Sequence, residues 1–307
     1  MQRNTTLRLL EPLGAPEEEV AERVQAPSLE SAVGIAMDKV TVHAAGHTIL
    51  DEVSLAISPG SHVAIVGLSG AGKSTLVGLL LGWHRPSSGE LTVDGRPLDA
   101  ATLDRLRRHT AWIDPQVQLW NRSLFDNLRY GAGSASIAMD GIIENAGLMG
   151  VLEKMPDGLQ TVLGEGGTLV SGGEGQRVRT GRAMARREVR LAILDEPARG
   201  LEHTQRRALV ARARDHWKHA TLLCNTHDVA DTLDFKRVLV IEAGRIVEEG
   251  SPQQLAARVD SIYRRLLDAE QEVRRCIWSS AQWRRMRIED GKLRETEEQG
   301  AYVESSH

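Results

Sequence analysis

The stretch "VAIVGLSGAGKSTLVGLL", residues 63–80, restricts the possible fold more than any other. Val63 to Val66 read as a short buried strand bounded by glycine. "GLSGAGKS", Gly67 to Ser74, then satisfies the G-x-x-x-x-G-K-[ST] pattern, and "KSTLVGLLLGW" reads as a helix opening directly from it. Gly67, Gly70 and Gly72 let the loop wrap so that backbone N–H groups face a phosphate. Lys73 then reaches the β- and γ-phosphates, and the Ser74 hydroxyl coordinates Mg²⁺. Leu68, Ser69, Ala71 and Thr75 complete the candidate nucleotide-binding loop.

A strand, loop and helix in this register belong to an α/β sheet, and the remaining chain reads the same way. "GIAMDKVTV", "ILDEVSLAI" and "HVAIVG" are β-type runs separated by Gly, Pro and Ser turns. "GELTVDGRPL" reads as a hairpin turning at Asp94-Gly95. A helix is expected over 101–109, a strand at "TAWIDP", and mostly helix over 123–160. "RLAILDEP", a helix at 203–218, "ATLLCNTH" and the strand pair "RVLVIEAGRIVEEG" follow. Strands alternating with helices imply a mostly parallel sheet with helices on its faces. Residues 1–33, with prolines and the acidic run "EEEVAE", read as a linker or mobile tail with a short helix at 17–24. Residues 34–252 form the main domain and 253–307 a charged helical tail.

A second acidic element complements the phosphate loop. "LAILDEP", 191–197, ends a buried strand on two carboxylates. Asp195 would hold Mg²⁺ through water, and Glu196, one residue closer to the γ-phosphate, is the natural general base or polariser for an attacking water. "LVSGGEGQRV", 169–178, is less easily placed. A Ser-Gly-Gly turn running into the helix-like "RVRTGRAMARR" can present helix N–H groups to a phosphate, or can simply be a serine-capped helix start.

Bulk properties exclude several classes. With 307 residues and 41% hydrophobic content the chain can bury a large core. A formal charge of −4 gives no electrostatic case for nucleic acid as a partner. The two cysteines, Cys224 and Cys276, provide no disulfide framework. The most apolar window, 63–83, is too interrupted by Lys73, glycines and hydroxyls to span a bilayer, and no secretory signal opens the chain. Neither His43 with His47 nor His216 with His219 is flanked by the cysteines or acids of a metal site.

Together these motifs resemble the nucleotide-binding domain of ATP-binding-cassette transporters. "GLSGAGKST" resembles its Walker A motif, "LAILDEP" its Walker B and "VSGGEGQR" its signature. Gln116 in "DPQVQLW" corresponds to the Q-loop and His227 in "CNTHD" to the switch histidine. "PDGLQTVLGEGGTLVSGG" and "RSLFDNLRYG" are similar to exporter-type segments, with Gly164-Glu165 as the pair facing the membrane subunit's coupling helices. The resemblance implies a P-loop NTPase core, an antiparallel β subdomain and a helical signature subdomain. It implies ATP and Mg²⁺ as ligands, with Ser74, Gln116 and Asp195 at the metal. It further implies a head-to-tail dimer in which Ser171, Gly172 and Gly173 close over the ATP held by the partner's lysine. Lys73, Glu196, His227 and Gln116 are then the catalytic group, His227 holding the γ-phosphate and Gln116 linking the site to the membrane domain.

The implied partners are a second cassette and the transmembrane domain or subunit of an exporter, which would hold the chain at the cytoplasmic face of the membrane. Two other readings are a soluble, non-transport cassette of translation or chromosome maintenance, and a regulatory cassette of a heterodimer. One cassette, with about 100 residues between Walker A and signature (from Ser74 to Ser171), argues against the first, and Glu196 against the second. Three positions depart from the family pattern. Ala44, beside His43, stands where an aromatic residue stacks on adenine, Glu202 replaces an aspartate, and Glu174 replaces a glutamine without an evident role.

Overall fold

The computed structural model describes residues 32–44, 46–132, 138–279, 285–289 and 292–296. The described residues open with strands β1 (Ile35–Ala44), β2 (His47–Ile57) and β3 (His62–Val66), then helix α1 (Lys73–Leu81). Next come β4 (Ser88–Val93), β5 (Arg96–Pro97), α2 (Ala100–Arg108) and β6 (Thr110–Ile113). Three short helices follow, α3 (Leu124–Arg129), α4 (Met139–Asn145) and α5 (Met149–Leu152), then the longer α6 (Gly172–Met184). The second half runs β7 (Leu191–Asp195), α7 (His203–His216), β8 (Thr221–Asn225), β9 (Arg237–Glu242) and β10 (Arg245–Gly250). It ends with α8 (Pro252–Ala257), α9 (Ile262–Ser279), β11 (Arg285–Glu289) and β12 (Lys292–Thr296).

The main sheet has the order β10-β9-β3-β8-β7-β6, parallel throughout except for the β9–β10 hairpin. Its strands carry apolar residues on both faces because both faces are covered. Val63 and Ile65 of β3 join one core with α1 and the four-stranded sheet β2-β1-β4-β5, while Ala64 and Val66 join the other, with α6, α7 and α9. The same alternation separates Leu191 and Ile193 from Ala192 and Leu194 in β7. Side chains such as Leu76, Leu79 and Leu80 are at most 1% exposed, and truncating one costs about 2–5 kcal/mol. The mostly parallel sheet, the antiparallel sheet and the hairpin at Asp94-Gly95, with Val93 paired to Arg96, agree with the sequence-based expectation.

The chain enters through Val33, which is fully buried and donates its N–H to the Arg190 carbonyl at 3.3 Å. Residues 1–31 of the segment read as a tail, with the short helix at 17–24, lie outside the described residues. At the other end the helical tail expected over 253–307 is corrected. Helix α9 stops at Ser279, and β11 and β12 pair antiparallel from Arg285↔Thr296 to Glu289↔Lys292. The segment "RMRIEDGKLRET" alternates polar and apolar residues about an Asp-Gly pair, a hairpin pattern that outweighs helical spacing there. Among the described residues no helix is long and apolar enough to cross a membrane.

Candidate functional site

The phosphate loop leaves the end of β3 and cannot carry side chains at its first and last bends. Gly67 has φ 151°, and a Cβ there would sit 2.1 Å from the Ile241 carbonyl oxygen; Gly72 has φ 107°, with Ile49 O and Leu50 at 2.9 Å from a Cβ. Backbone therefore crowds the loop from β9 and β2 and holds its curvature. Leu68, Ser69, Gly70 and Ser74 are exposed, Thr75 is half-buried, and Ala71 and Lys73 are buried. Lys73 Nζ turns back on its own loop, donating to Gly67 O at 2.8 Å and Leu68 O at 3.0 Å. Burial lowers the Lys73 ammonium pKa, and the carboxylates of Glu196 and Asp195 work against that shift.

Parallel pairing aligns the C-terminal ends of β3, β7 and β8, so three loops converge there. Asp195 ends β7 and is buried; Asn225 ends β8 beside it and donates Nδ2 to Asp195 Oδ1 and, at 3.5 Å, to Ser74 Oγ. Burial raises the Asp195 carboxyl, with Asp114 adding to the shift. Glu196 follows at φ 46°, a left-handed conformation costing a non-glycine residue on the order of 1–2 kcal/mol. Its N–H donates to Asn225 O at 2.9 Å, and its carboxyl is pushed up to about 7 by burial first and the Asp195 charge second. His227 Nε2 lies 3.3 Å from Glu196 Oε1 and Nδ1 lies 3.4 Å from Lys73 Nζ. Burial and the Lys73 charge hold the His227 imidazole below its usual pKa. The approach to Glu196 lacks hydrogen-bond geometry, and Glu196 Oε1 and Asn225 Oδ1 are buried with no hydrogen-bond partner among the described residues. Such orphaned acceptors are costly, which favours a donor being supplied from outside the protein.

Lys73, Ser74, Asp195, Glu196 and His227 are thus gathered at one sheet edge. Gln116 is exposed on the loop after β6, its backbone N–H donating to Asp114 Oδ1 at 2.6 Å. That loop is tied to α6 by Arg179 Nε donating to Val117 O at 2.6 Å and Arg182 Nη1 to Gln118 O at 3.0 Å. Asn225 and Asp114 escaped the sequence reading. The only signal for them was position, one before "TH" and two before Gln116.

The signature residues lie elsewhere. Ser171 is the N-cap of α6, in a full capping box: its Oγ accepts from Glu174 N–H at 3.3 Å and Glu174 Oε2 accepts from Ser171 N–H at 2.9 Å. Lys154 Nζ holds the other Glu174 oxygen at 2.9 Å. Glu174, for which the family pattern gave no role, therefore caps the signature helix, and the Ser171 N–H first and the Lys154 ammonium second lower its pKa. Helix α6 packs on edge strand β6, α3 and α4. In the sheet order β6 stands three strands from β3, about 14 Å at the usual strand spacing. No hydrogen bond joins residues 169–176 to residues 67–75 among the described residues. Ser171 and Gly172 are exposed, and nothing lies within 4 Å of a Cβ placed on Gly172, so this helix start faces outward. A Cβ on Gly173 would instead meet Gly200 O at 2.8 Å, where the loop before α7 packs against the signature.

At the position expected for an adenine-stacking aromatic, Ala44 ends β1, and His43 Nδ1 is 3.1 Å from Thr48 Oγ1. Glu202 is exposed as the N-cap residue of α7, without a side-chain cap bond.

Comparison with known proteins is consistent with this geometry. Residues 50–199 match the family model described as ABC transporter. The chain is similar to the ATP-dependent lipid A-core flippase of Alkalilimnicola ehrlichii, 34% identical over 67% of this chain and 35% of that protein. It is also similar to the protein of the same description from Chromobacterium violaceum, 37% identical over 71% of this chain and 37% of the relative. The chain thus spans little more than a third of the length of these relatives. Among solved structures, a bacterial Atm1-family ABC exporter with ATP bound aligns with a TM-score of 0.76 and 28% identity, over 87% of this chain and 47% of that one.

Proposed function

The chain belongs to the ATP-binding-cassette transporter family, and from that premise we propose that it is an exporter-type, ATP-hydrolysing nucleotide-binding domain that drives export by closing head to tail on a second cassette. The observation that carries the dimer is the outward-facing signature: the capped start of α6 is open at Gly172 and remote from its own phosphate loop. A helix N-terminus of this kind offers N–H groups and positive dipole to an anion, and only another molecule's nucleotide can reach it.

The residues present fit a Mg²⁺–nucleotide. The glycine loop is held in its curve by Ile241 O and Ile49 O and is bare of side chain at Gly70, and two buried acceptors beside it have no hydrogen-bond partner among the described residues. Ser74, Asp195 and Gln116 would hold Mg²⁺, which when bound neutralises charge developing on the phosphate oxygens. Lys73 leaves its loop carbonyls for the phosphates. Glu196, oriented by its N–H bond to Asn225 O, accepts the proton of the attacking water at Oε1. His227 orients that water from the γ-phosphate side. Gly164-Glu165 and the loop of Gln116 would meet a transmembrane domain or subunit, placing the cassette at the cytoplasmic face of a membrane.

The test is Glu196→Gln in the full chain with Mg²⁺ and ATP. Turnover should fall by roughly 10²–10³ while ATP binding persists, and size-exclusion chromatography should show a dimer only when ATP is present. An ATP-loaded variant that remains monomeric over the accessible concentration range would sink the composite site.

A further inference from the structure

One side chain joins the two loops that carry Glu196 and His227. Arg206 lies in the second turn of α7, with its N–H donating to Glu202 O at 2.8 Å. Its guanidinium faces back toward the site. Nη2 donates to Leu201 O at 3.3 Å, in the loop that descends from Glu196. Nη1 is paired with Asp228 Oδ2, the carboxylate directly after His227. Nε lies 3.9 Å from Asp231 Oδ2, in the turn that continues the same loop, and the Asp231 side chain is 5% exposed. His203 Nε2 sits 3.9 Å from the other Asp231 oxygen. The Arg206 side chain is 21% exposed, so its two Nη contacts are largely shielded from water, while Nε makes no hydrogen bond among the described residues.

The loop it grips is fixed from the far side by α9. Ala230 N–H donates to Glu270 Oε2 at 3.1 Å, and the Thr232 hydroxyl lies 2.8 Å from the buried Tyr263 hydroxyl. The backbone from 229 to 232 is thus anchored, whereas His227 itself is half-exposed, its side chain 51% accessible. Asp228 lies between the anchored turn and the exposed imidazole, its N–H donating to Thr226 Oγ1 at 3.1 Å.

We propose that Arg206 is a positioning residue for ATP hydrolysis, clamping the loop after Glu196 to the loop of His227 so that base and imidazole keep their mutual placement. The clamp acts from behind the site, through Asp228, without touching nucleotide. It rests on the roles given to Glu196 and His227 above. Misplacing such groups by a fraction of an ångström slows chemistry far more than it weakens substrate binding.

The experiment measures Mg²⁺-ATP turnover and equilibrium ATP binding on the full chain for Arg206→Gln, Asp228→Asn and the double variant. Each single variant should lower kcat about tenfold and shift ATP affinity less than about twofold. The double variant should lose no more than the weaker single, because both substitutions break one tie. Arg206→Lys, which keeps charge but not the fork, should fall between wild type and Arg206→Gln. If Arg206→Gln does not fold, Asp228→Asn breaks the tie from the loop side and must still lower kcat. Unchanged kcat in a folded variant, equal losses in kcat and ATP affinity, or losses that multiply in the double variant would each overturn the proposal. Glu196→Gln separates this from the underlying reading. If that variant hydrolyses normally the roles assigned at the site fail, and if it is inactive while Arg206→Gln is normal only the clamp fails.

Discussion

The phosphate loop enters α1 through Gly72 at φ 107°, with no side chain capping the helix. The loop at 169–171 enters α6 through Ser171, in extended backbone with a complete capping box. Both are glycine-rich loops opening a helix, yet glycine serves opposite ends in them. At Gly67 and Gly72 the protein's own backbone fills the space a side chain would take, so the loop is fixed and its lysine is buried. At Gly172 the space is empty and faces outward. The phosphate loop is preformed, and the left-handed Glu196 beside it holds backbone strain. On the proposed reading the signature is a half-site, locally relaxed and kept bare for another surface.

The largest expected effect falls on the preformed side. Lys73→Ala removes the buried ammonium between Gly67, Leu68 and His227 and should lower ATP turnover by at least roughly 100-fold, with ATP affinity reduced as well. A steady-state assay that finds wild-type turnover would dissolve the contrast, because the loop would then be only a turn.

Next in size is the acid limb of the pH profile. With Glu196 raised to about 7, its carboxyl is protonated below that value and cannot accept a proton. Log kcat/KM, which reports the free protein, should climb about one unit per pH unit up to that region and then level off. A flat profile from pH 5 to 8 in the active protein would remove Glu196 from the role of base.

Much of this was legible in the sequence because the phosphate loop, "LAILDEP" and "CNTHD" are local patterns whose meaning survives any packing. What pairs across space was not. Asn225 reads as the last polar residue of a strand until parallel pairing sets it against Asp195. Glu174 looks like an odd substitution until the cap and Lys154 claim its two oxygens. Arg206, one of several arginines on a polar helix, acquires meaning only when α7 lays it against Asp228. The hairpin at 285–296 shows as alternation in the sequence, but the helical spacing that runs up to Ser279 masks it.

The two signature glycines sharpen the contrast within one turn of helix. Gly173→Ala places a Cβ 2.8 Å from Gly200 O and should destabilise the isolated chain by about 1–2 kcal/mol, read as a lower urea midpoint. Gly172→Ala meets nothing and should leave stability unchanged or raise it by up to about 1 kcal/mol, since alanine is the better helix former. Yet in a Glu196→Gln background the same substitution should impair the ATP-dependent dimer, because the bare surface is what a partner's phosphate would approach. A Gly172→Ala cassette that dimerises normally would show that the open space is incidental.

The smallest effect tests why the outward half-site is relaxed. Glu174→Ala removes the reciprocal cap of α6 and should cost about 1 kcal/mol at pH 7. The Lys154 pair adds little to that, its ammonium being 73% exposed. The Ser171 N–H and Lys154 lower the Glu174 pKa from 4.5, so the folded state favours the ionised form. The charge-dependent part of the stabilisation is therefore fully present above about pH 4.5. It is lost as pH falls through the lower folded-state value. Urea unfolding of wild type and Glu174→Gln should differ by a few tenths of a kcal/mol at neutral pH, a gap that closes in acid. A gap that stays constant down to pH 3 would mean that the cap works through shape alone, leaving Lys154 no part in holding the signature helix.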